Sequence, residues 1–308
     1  MLVNLTPGAF WLTVFFFIPL LIMMYYSFGQ RGAFGEVLIA PQYLGLQQYA
    51  TFFVPDDASI GQAVWWTVAW VLEAFVPFEL TSGQPTVYVQ VLFKSINFGL
   101  ITTAVSLAVG YPTAYFIVRV LPDRLQQLGL VVLLLPYWAS YLVRVYALKL
   151  LTFENGPIFY VLNALPYVDG VTLVFTDTAV MLGMVYIYVP FAVLPIYANL
   201  DDIDFTLREA ALVLGATRLT AFRKVILPLS VPGIFAASIL VFIPATGTYV
   251  IPEILGGGDA SFIGKFIAEQ FGAAGNWPLG SAAGFIFTGV VLVAIGLYQR
   301  VISGGDLV

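Results

Sequence analysis

Polar positions in this chain collect between six long apolar stretches, each long enough for a helix to cross the roughly 30 Å of hydrocarbon in a bilayer. The stretches cover about Pro7–Phe28, Val89–Val118, Leu128–Leu148, Ala179–Leu200, Val231–Ile251 and Leu279–Tyr298. The second is long enough for its outer end to project past the membrane. Pro19 is expected to kink the first. Pro112, Pro136, Pro190, Pro195 and Pro244 lie inside later spans, where neighbouring helices can satisfy the carbonyls they free. The connection between the first two spans is about sixty residues long and contains Gln62–Phe78, rich in Trp65, Trp66 and Trp70 but interrupted by Glu73 and Pro77. Two readings stand for it: a helix lying along the membrane surface on its interfacial tryptophans, or a seventh span.

Composition agrees with the pattern. Of the 308 residues 60% are apolar and 9% charged, against about a quarter charged in a soluble domain. Cys and His are both absent. Disulfides, thiolate nucleophiles, histidine-ligated haem and the zinc-protease motifs are therefore excluded, and no metal site is predicted. The net charge of −5 argues against a nucleic-acid partner. The first ten residues carry no Lys or Arg and no small-residue cleavage site follows the first apolar run, so that run is expected to be an uncleaved span. With the N-terminus inside, Arg119, Arg124, Arg208, Arg218, Arg223, Lys224 and Arg300 are cytoplasmic, while Arg31, Lys94, Arg144, Lys149 and Lys265 are outside. The positive-inside rule thus places both termini in the cytoplasm. Arg144 and Lys149 are expected to snorkel from span ends to the interface.

The connection between spans four and five, residues 201–228, carries the strongest local signals. Thr206 and Glu209 have the spacing of a capping box, which predicts a helix start at Thr206. Ala210 and Ala211 favour its continuation. Gly215 can end it in a left-handed conformation, and Thr217 can cap a second helix with Leu219, Phe222 and Ile226 on one face. Pro228 is expected to stop that helix before span five. A short helix–turn–helix at the cytoplasmic surface results.

Glu209, Ala210, Ala211, Gly215, Val225, Leu227 and Pro228 satisfy the pattern E-A-A-x3-G-x9-[I/V]-x-L-P. This resembles the cytoplasmic loop signature of importer permeases of the ATP-binding-cassette class. Resemblance to spermidine/putrescine permeases of the PotB/PotH type extends further. It includes Phe93-Lys-Ser-Ile-Asn-Phe-Gly, Gly110-Tyr-Pro-Thr-Ala-Tyr, Leu135-Pro-Tyr-Trp, Leu142-Val-Arg-Val-Tyr, Pro244-Ala-Thr-Gly-Thr-Tyr, Glu253-Ile-Leu-Gly-Gly and Asn276-Trp-Pro-Leu-Gly. It covers most of residues 8–300 and departs within 56–86, where the Trp-rich segment looks like an insertion.

The resemblance implies an all-α polytopic membrane protein. It would have six transmembrane helices, a cytoplasmic coupling helix (the type I ABC importer permease fold) and one permease domain over 1–308, with an extra Trp-rich helix in the first outer loop. It implies a coupling helix that docks in a groove of an ABC ATPase dimer, with Glu209 meeting a basic groove residue. Further implied partners are a second permease (homologous or identical) and an external solute-binding protein. No G-x-x-x-x-G-K-[ST] loop occurs in the sequence, so ATP and Mg are assigned to the ATPase and this chain is not an enzyme. Tyr137 and Trp138 beside Pro136, with Tyr249 and Glu253 beyond span five, are candidates for a polyamine pathway through cation–π contacts and charge pairing. Packing or an interfacial belt would also explain the three aromatics. Permeases of this class also move ferric iron, thiamine or aminoethylphosphonate. An ATP-independent transporter would favour ionisable residues buried mid-membrane, and spans one, four and six have none. A membrane enzyme would have to rely on Asp201, Asp202 and Asp204, which more simply solvate the loop.

Overall fold

The computed structural model describes residues 8–56, 58–73, 83–154, 156–158, 160, 173–258 and 261–303. The chain groups into two compact units, Met1–Lys94 with Ser261–Val308, and Ser95–Ala260.

Among the described residues four helices are long and apolar enough to span a membrane: α1 (Gly8–Ser27), α4 (Val87–Arg119), α7 (Asp177–Asp201) and α13, whose spanning part is Trp277–Arg300. Two bent pairs bring the count to six if each pair is one span. The first pair is α5 (Asp123–Trp138) with α6 (Tyr141–Thr152), bent by 86°. The second is α9 (Arg218–Leu229) with α10 (Val231–Thr246), bent by 61°. The mostly helical, multi-pass architecture agrees with the hydropathy pattern.

In the first unit, α1 is followed by a small antiparallel pair, β1 (Gln30–Arg31) with β2 (Val37–Leu38). Helix α2 (Gln47–Phe53) buries Phe52 fully, stacked 5.7 Å from Tyr88. Tyr88 in turn lies 5.1 Å from Phe266 on α12 (Ile263–Phe271), which packs against α13. The Trp-rich helix α3 is described over Ile60–Glu73. It buries Ala63 and Ala69 and sets Trp70 edge-on to Phe93 at 5.9 Å. The rest of the Gln62–Phe78 segment lies outside the described residues.

In the second unit α7 is central: 56% of its apolar window is buried, against none for α1. Its main neighbour is α10, where Gly233, Ala237, Val241 and Ala245 are buried four residues apart along one stripe. Small side chains at such spacing let helix backbones approach closely, the usual device where lipid supplies no hydrophobic drive. Gly233 shows how closely. A Cβ added there would stand 2.6 Å from Asn199 Cβ.

Two expected spans differ in detail. Leu128–Leu148 was expected to be one helix, and the chain breaks within it. Pro136 has no N–H for the carbonyl four residues back, so the helix tightens into a 3₁₀ turn over Leu135–Trp138. Ala139 and Ser140 then take extended ψ values of 147° and 141°, which turns the chain. The Val231–Ile251 span ends instead at Thr246, and a separate short helix, α11 (Val250–Leu255), follows.

Candidate functional site

The polar connection between α7 and α10 forms an elbow. Helix α8 (Thr206–Val213) starts where the sequence places it, by a different device. Thr206 is the first helical residue and not the cap, so Glu209 falls one position too late to close a capping box. Asp204 acts instead: its Oδ1 accepts the Thr206 backbone N–H at 2.9 Å. That bond holds the exposed Asp204 carboxyl below the usual carboxylate range.

The other end of α8 closes in a Schellman motif. Gly215 has φ +89° and donates its N–H to Leu212 O, while Ala216 N–H reaches Ala211 O. Thr217 then caps α9 by accepting the Thr220 N–H at 3.2 Å. Pro228 does not stop α9. It sits inside the helix after a π turn over Phe222–Ile226, in which Leu227 N–H bonds to Phe222 O. The widened turn absorbs the donor that Pro228 lacks. The helix ends at Ser230, fully buried, whose hydroxyl donates to Ile226 O at 2.6 Å and lies 2.9 Å from the Tyr111 hydroxyl.

The inner side of the elbow rests on the end of α4. Phe222 meets Tyr111 and Tyr115 edge-on at 5.9 and 5.8 Å. Phe205 lies 6.4 Å from Tyr115 and beneath the Arg119 guanidinium at 4.1 Å. Sequence reading missed this cluster, although Tyr111, Tyr115 and Arg119 stand four apart, on one helix face. Of the expected apolar face, Ile226 is buried and Phe222 half-buried, but Leu219 points away at 60% exposure. The opposite side of the elbow is bare. Glu209, Ala210, Gly215, Leu227 and Pro228 are exposed, Ala211 and Val225 half-buried. Val213 and Leu214 are each 88% exposed, the latter being the residue before the glycine turn. Two such side chains outside the bilayer make an apolar tip that a protein surface would cover.

The four proposed pathway residues lie at helix breaks in the second unit. Tyr137 lies in the 3₁₀ turn of α5; its hydroxyl donates to Ile187 O on α7, and its ring meets Phe191 edge-on at 5.7 Å. Trp138, beside it, is 90% exposed. Tyr249 and Glu253 flank the start of α11 and are exposed, with Glu253 N–H bonded to Tyr249 O at 3.1 Å. Between the two breaks stands Tyr188, 6.2 Å from Phe191, whose hydroxyl donates to Pro244 O at 3.0 Å. That bond satisfies a carbonyl in the last turn of α10, where no helical partner follows. Arg144 does not snorkel. It is 9% exposed and lies over the Tyr137 ring at 4.0 Å and the Tyr141 ring at 5.9 Å. Lys149 sits over the Phe175 ring at 5.0 Å. Among the described residues no group of three or more carboxylates could hold a metal ion.

The fold has counterparts among solved structures. A bacterial ABC transporter that imports the acidic polysaccharide alginate matches 98% of this chain and 94% of its own, with a TM-score of 0.66 at 16% identity. The same type of transporter in complex with its alginate-bound periplasmic protein matches at 0.62 and 19%, over 98% and 92%. These likenesses speak for the fold alone.

The chain belongs to the family described as binding-protein-dependent transport system inner membrane component, which it matches over residues 5–303. It is 35% identical over 251 residues to the spermidine/putrescine transport system permease protein PotB of Escherichia coli (strain K12), covering 81% of this chain and 87% of that one. The Haemophilus influenzae protein of the same name is 34% identical over 236 residues, 73% and 81% of the two chains. The protein is thus a multi-pass permease subunit of an ABC importer. It is a conduit and not an enzyme, ATP hydrolysis falling to a separate subunit.

Proposed function

We propose that this permease passes a spermidine/putrescine-type polyamine from an external binding protein to the cytoplasm, driven by an ABC ATPase dimer docked on the elbow. The observation that carries the coupling role is the bare face of the elbow, with Glu209 and the small Ala210 exposed beside the apolar tip of Val213 and Leu214. Its packed inner side on Tyr111, Tyr115 and Arg119 ties any movement of the elbow to α4. ATP and Mg belong to the ATPase. The elbow and both termini are cytoplasmic in this reading, and a second permease, identical or homologous, completes the pathway. Identity to polyamine permeases over four fifths of the chain supports the solute class. Tyr137, Trp138, Tyr249 and Glu253 offer the aromatic and acidic groups a polyamine requires.

The test is purification of the chain with its ATPase and second permease, followed by ATPase assay with and without spermidine-loaded binding protein. Stimulation only by the loaded binding protein supports both parts of the reading. A stable complex indifferent to spermidine removes the polyamine and keeps the importer. Glu209→Lys and Gly215→Pro are expected to abolish ATPase binding while the chain still inserts, because proline cannot adopt the φ of +89° found at Gly215. Normal uptake by both variants would overturn the coupling assignment.

A further inference from the structure

Among the described residues two cationic side chains are buried, Arg144 in the second unit and Lys265 in the first. Lys265 has a carboxylate, Glu269 Oε1, at 3.9 Å. Arg144 has none. Its Nε and Nη1 are buried with no hydrogen-bond partner, and its guanidinium lies over the faces of Tyr137 and Tyr141. Arginine does not deprotonate in proteins. A buried charge of this kind is strongly unfavourable unless paired and hydrogen-bonded. The ring faces balance part of the charge and leave Nε and Nη1 without an acceptor.

The surroundings are arranged for an anion. Helix α6 begins three residues before Arg144, at Tyr141. The positive end of its dipole therefore lies at the same end of the helix as the guanidinium. The side chain turns back toward the break, over Tyr137, the neighbour of the exposed Trp138. The planar fork of donors matches the two oxygens of a carboxylate.

We propose that Arg144 anchors a carboxylate-binding site at the break between α5 and α6. The carboxylate comes either from an Asp or Glu of the paired permease or from the transported solute. A polyamine carries no carboxylate, so the two sources bear differently on the polyamine reading while the site itself stands apart from it.

The experiment uses the assembled importer in proteoliposomes, with Arg144→Gln and Arg144→Lys. Charged hydrogen bonds of this type predict a fall in spermidine uptake of about tenfold to a hundredfold for Gln, with Lys intermediate because it keeps the charge and loses the fork. If Gln prevents assembly, the Lys variant carries the comparison. A partner carboxylate is shown when one Asp→Asn or Glu→Gln change in the second permease reproduces the loss and is non-additive with Arg144→Gln; site and polyamine then both stand. A solute carboxylate is shown when succinate competes with spermidine in the native importer and not in the Gln variant; the site stands and the solute class widens beyond polyamines. Unchanged uptake in Arg144→Gln overturns the proposal. So does a loss of uptake with neither a coupled partner carboxylate nor succinate competition.

Discussion

The two bends of the second unit, of 61° and 86°, are held by opposite means. The 61° bend between α9 and α10 follows a segment rich in local devices: Asp204 on the Thr206 N–H, the left-handed Gly215, the Thr217 cap and the Ser230 hydroxyl on Ile226 O. The 86° bend between α5 and α6 has almost none, since neither Leu134 nor Ser140 makes a side-chain cap. It is held across the unit, by the Tyr137 hydroxyl on Ile187 O and by Arg144 lying on the Tyr137 ring. A locally capped bend moves as a piece, which suits an element that passes on a push. A bend held by distant partners changes when those partners shift, which suits a point that responds to what lies beside it.

The contrast is sharpest where local capping meets packing, just past the elbow. Gly233 opens α10 against α7, and any Cβ there displaces Asn199 at its own Cβ, not at a flexible tip. Gly233→Val is therefore expected to destabilise the protein by about 1–3 kcal/mol, the usual range for overpacking. Thermal unfolding in detergent reads it. A midpoint equal to that of the native chain would mean that α10 leans on the elbow's own hydrogen bonds and not on α7.

At the other bend the hydroxyl of Tyr137 is the test. Tyr137→Phe keeps the ring beneath Arg144 and removes only the bond to Ile187 O, a loss of about 1 kcal/mol. The expected signature is a small drop in unfolding midpoint with a larger drop in uptake, because the break and the Arg144 site share this residue. Equal, small effects on both would make the bond a packing detail.

The same contrast explains what could be read from sequence. The apolar windows gave the six-span plan because desolvation of a helix in lipid leaves few alternatives. Within the elbow, Gly215 and Thr217 announced a turn and a cap through residue types that work within three or four positions. The helix start was placed correctly while its device was not, since Asp204 and Thr206 offer competing caps two residues apart. The break in the third span was invisible. Pro136 is a tolerated residue inside spans and so does not by itself announce a break; the 3₁₀ turn it starts is held by a partner fifty residues away. Arg144 was misplaced for a related reason. Its position near a span end suggested a path to water, and only the fold shows that Tyr137 and Tyr141 close over it. Tyr111, Tyr115 and Arg119 carry a signal in their four-residue spacing, which places them on one α4 face opposite the aromatic pair Phe205 and Phe222.

The smallest effect lies at the start of the elbow, and its pH dependence separates the two possible caps. The Asp204 carboxyl is held below its ordinary value by the Thr206 N–H. A group whose value is depressed on folding adds stability above its unfolded value and loses that stability as the pH falls through the folded one. The bond at the head of α8 should therefore be complete at neutral pH and fade only in acid, below the usual carboxylate range. Asp204→Asn keeps an acceptor oxygen and removes the charge, so it should leave coupling near normal and flatten the acid limb. Asp204→Ala should lower binding-protein-stimulated ATPase slightly at neutral pH. Hydrogen exchange at the amides of Thr206 and Leu207 is the measurement. Faster exchange in Asp204→Ala with Glu209→Gln unchanged assigns the cap to Asp204. Faster exchange in Glu209→Gln instead would restore the capping box and leave Glu209 with a structural task beside the one proposed for it at the ATPase.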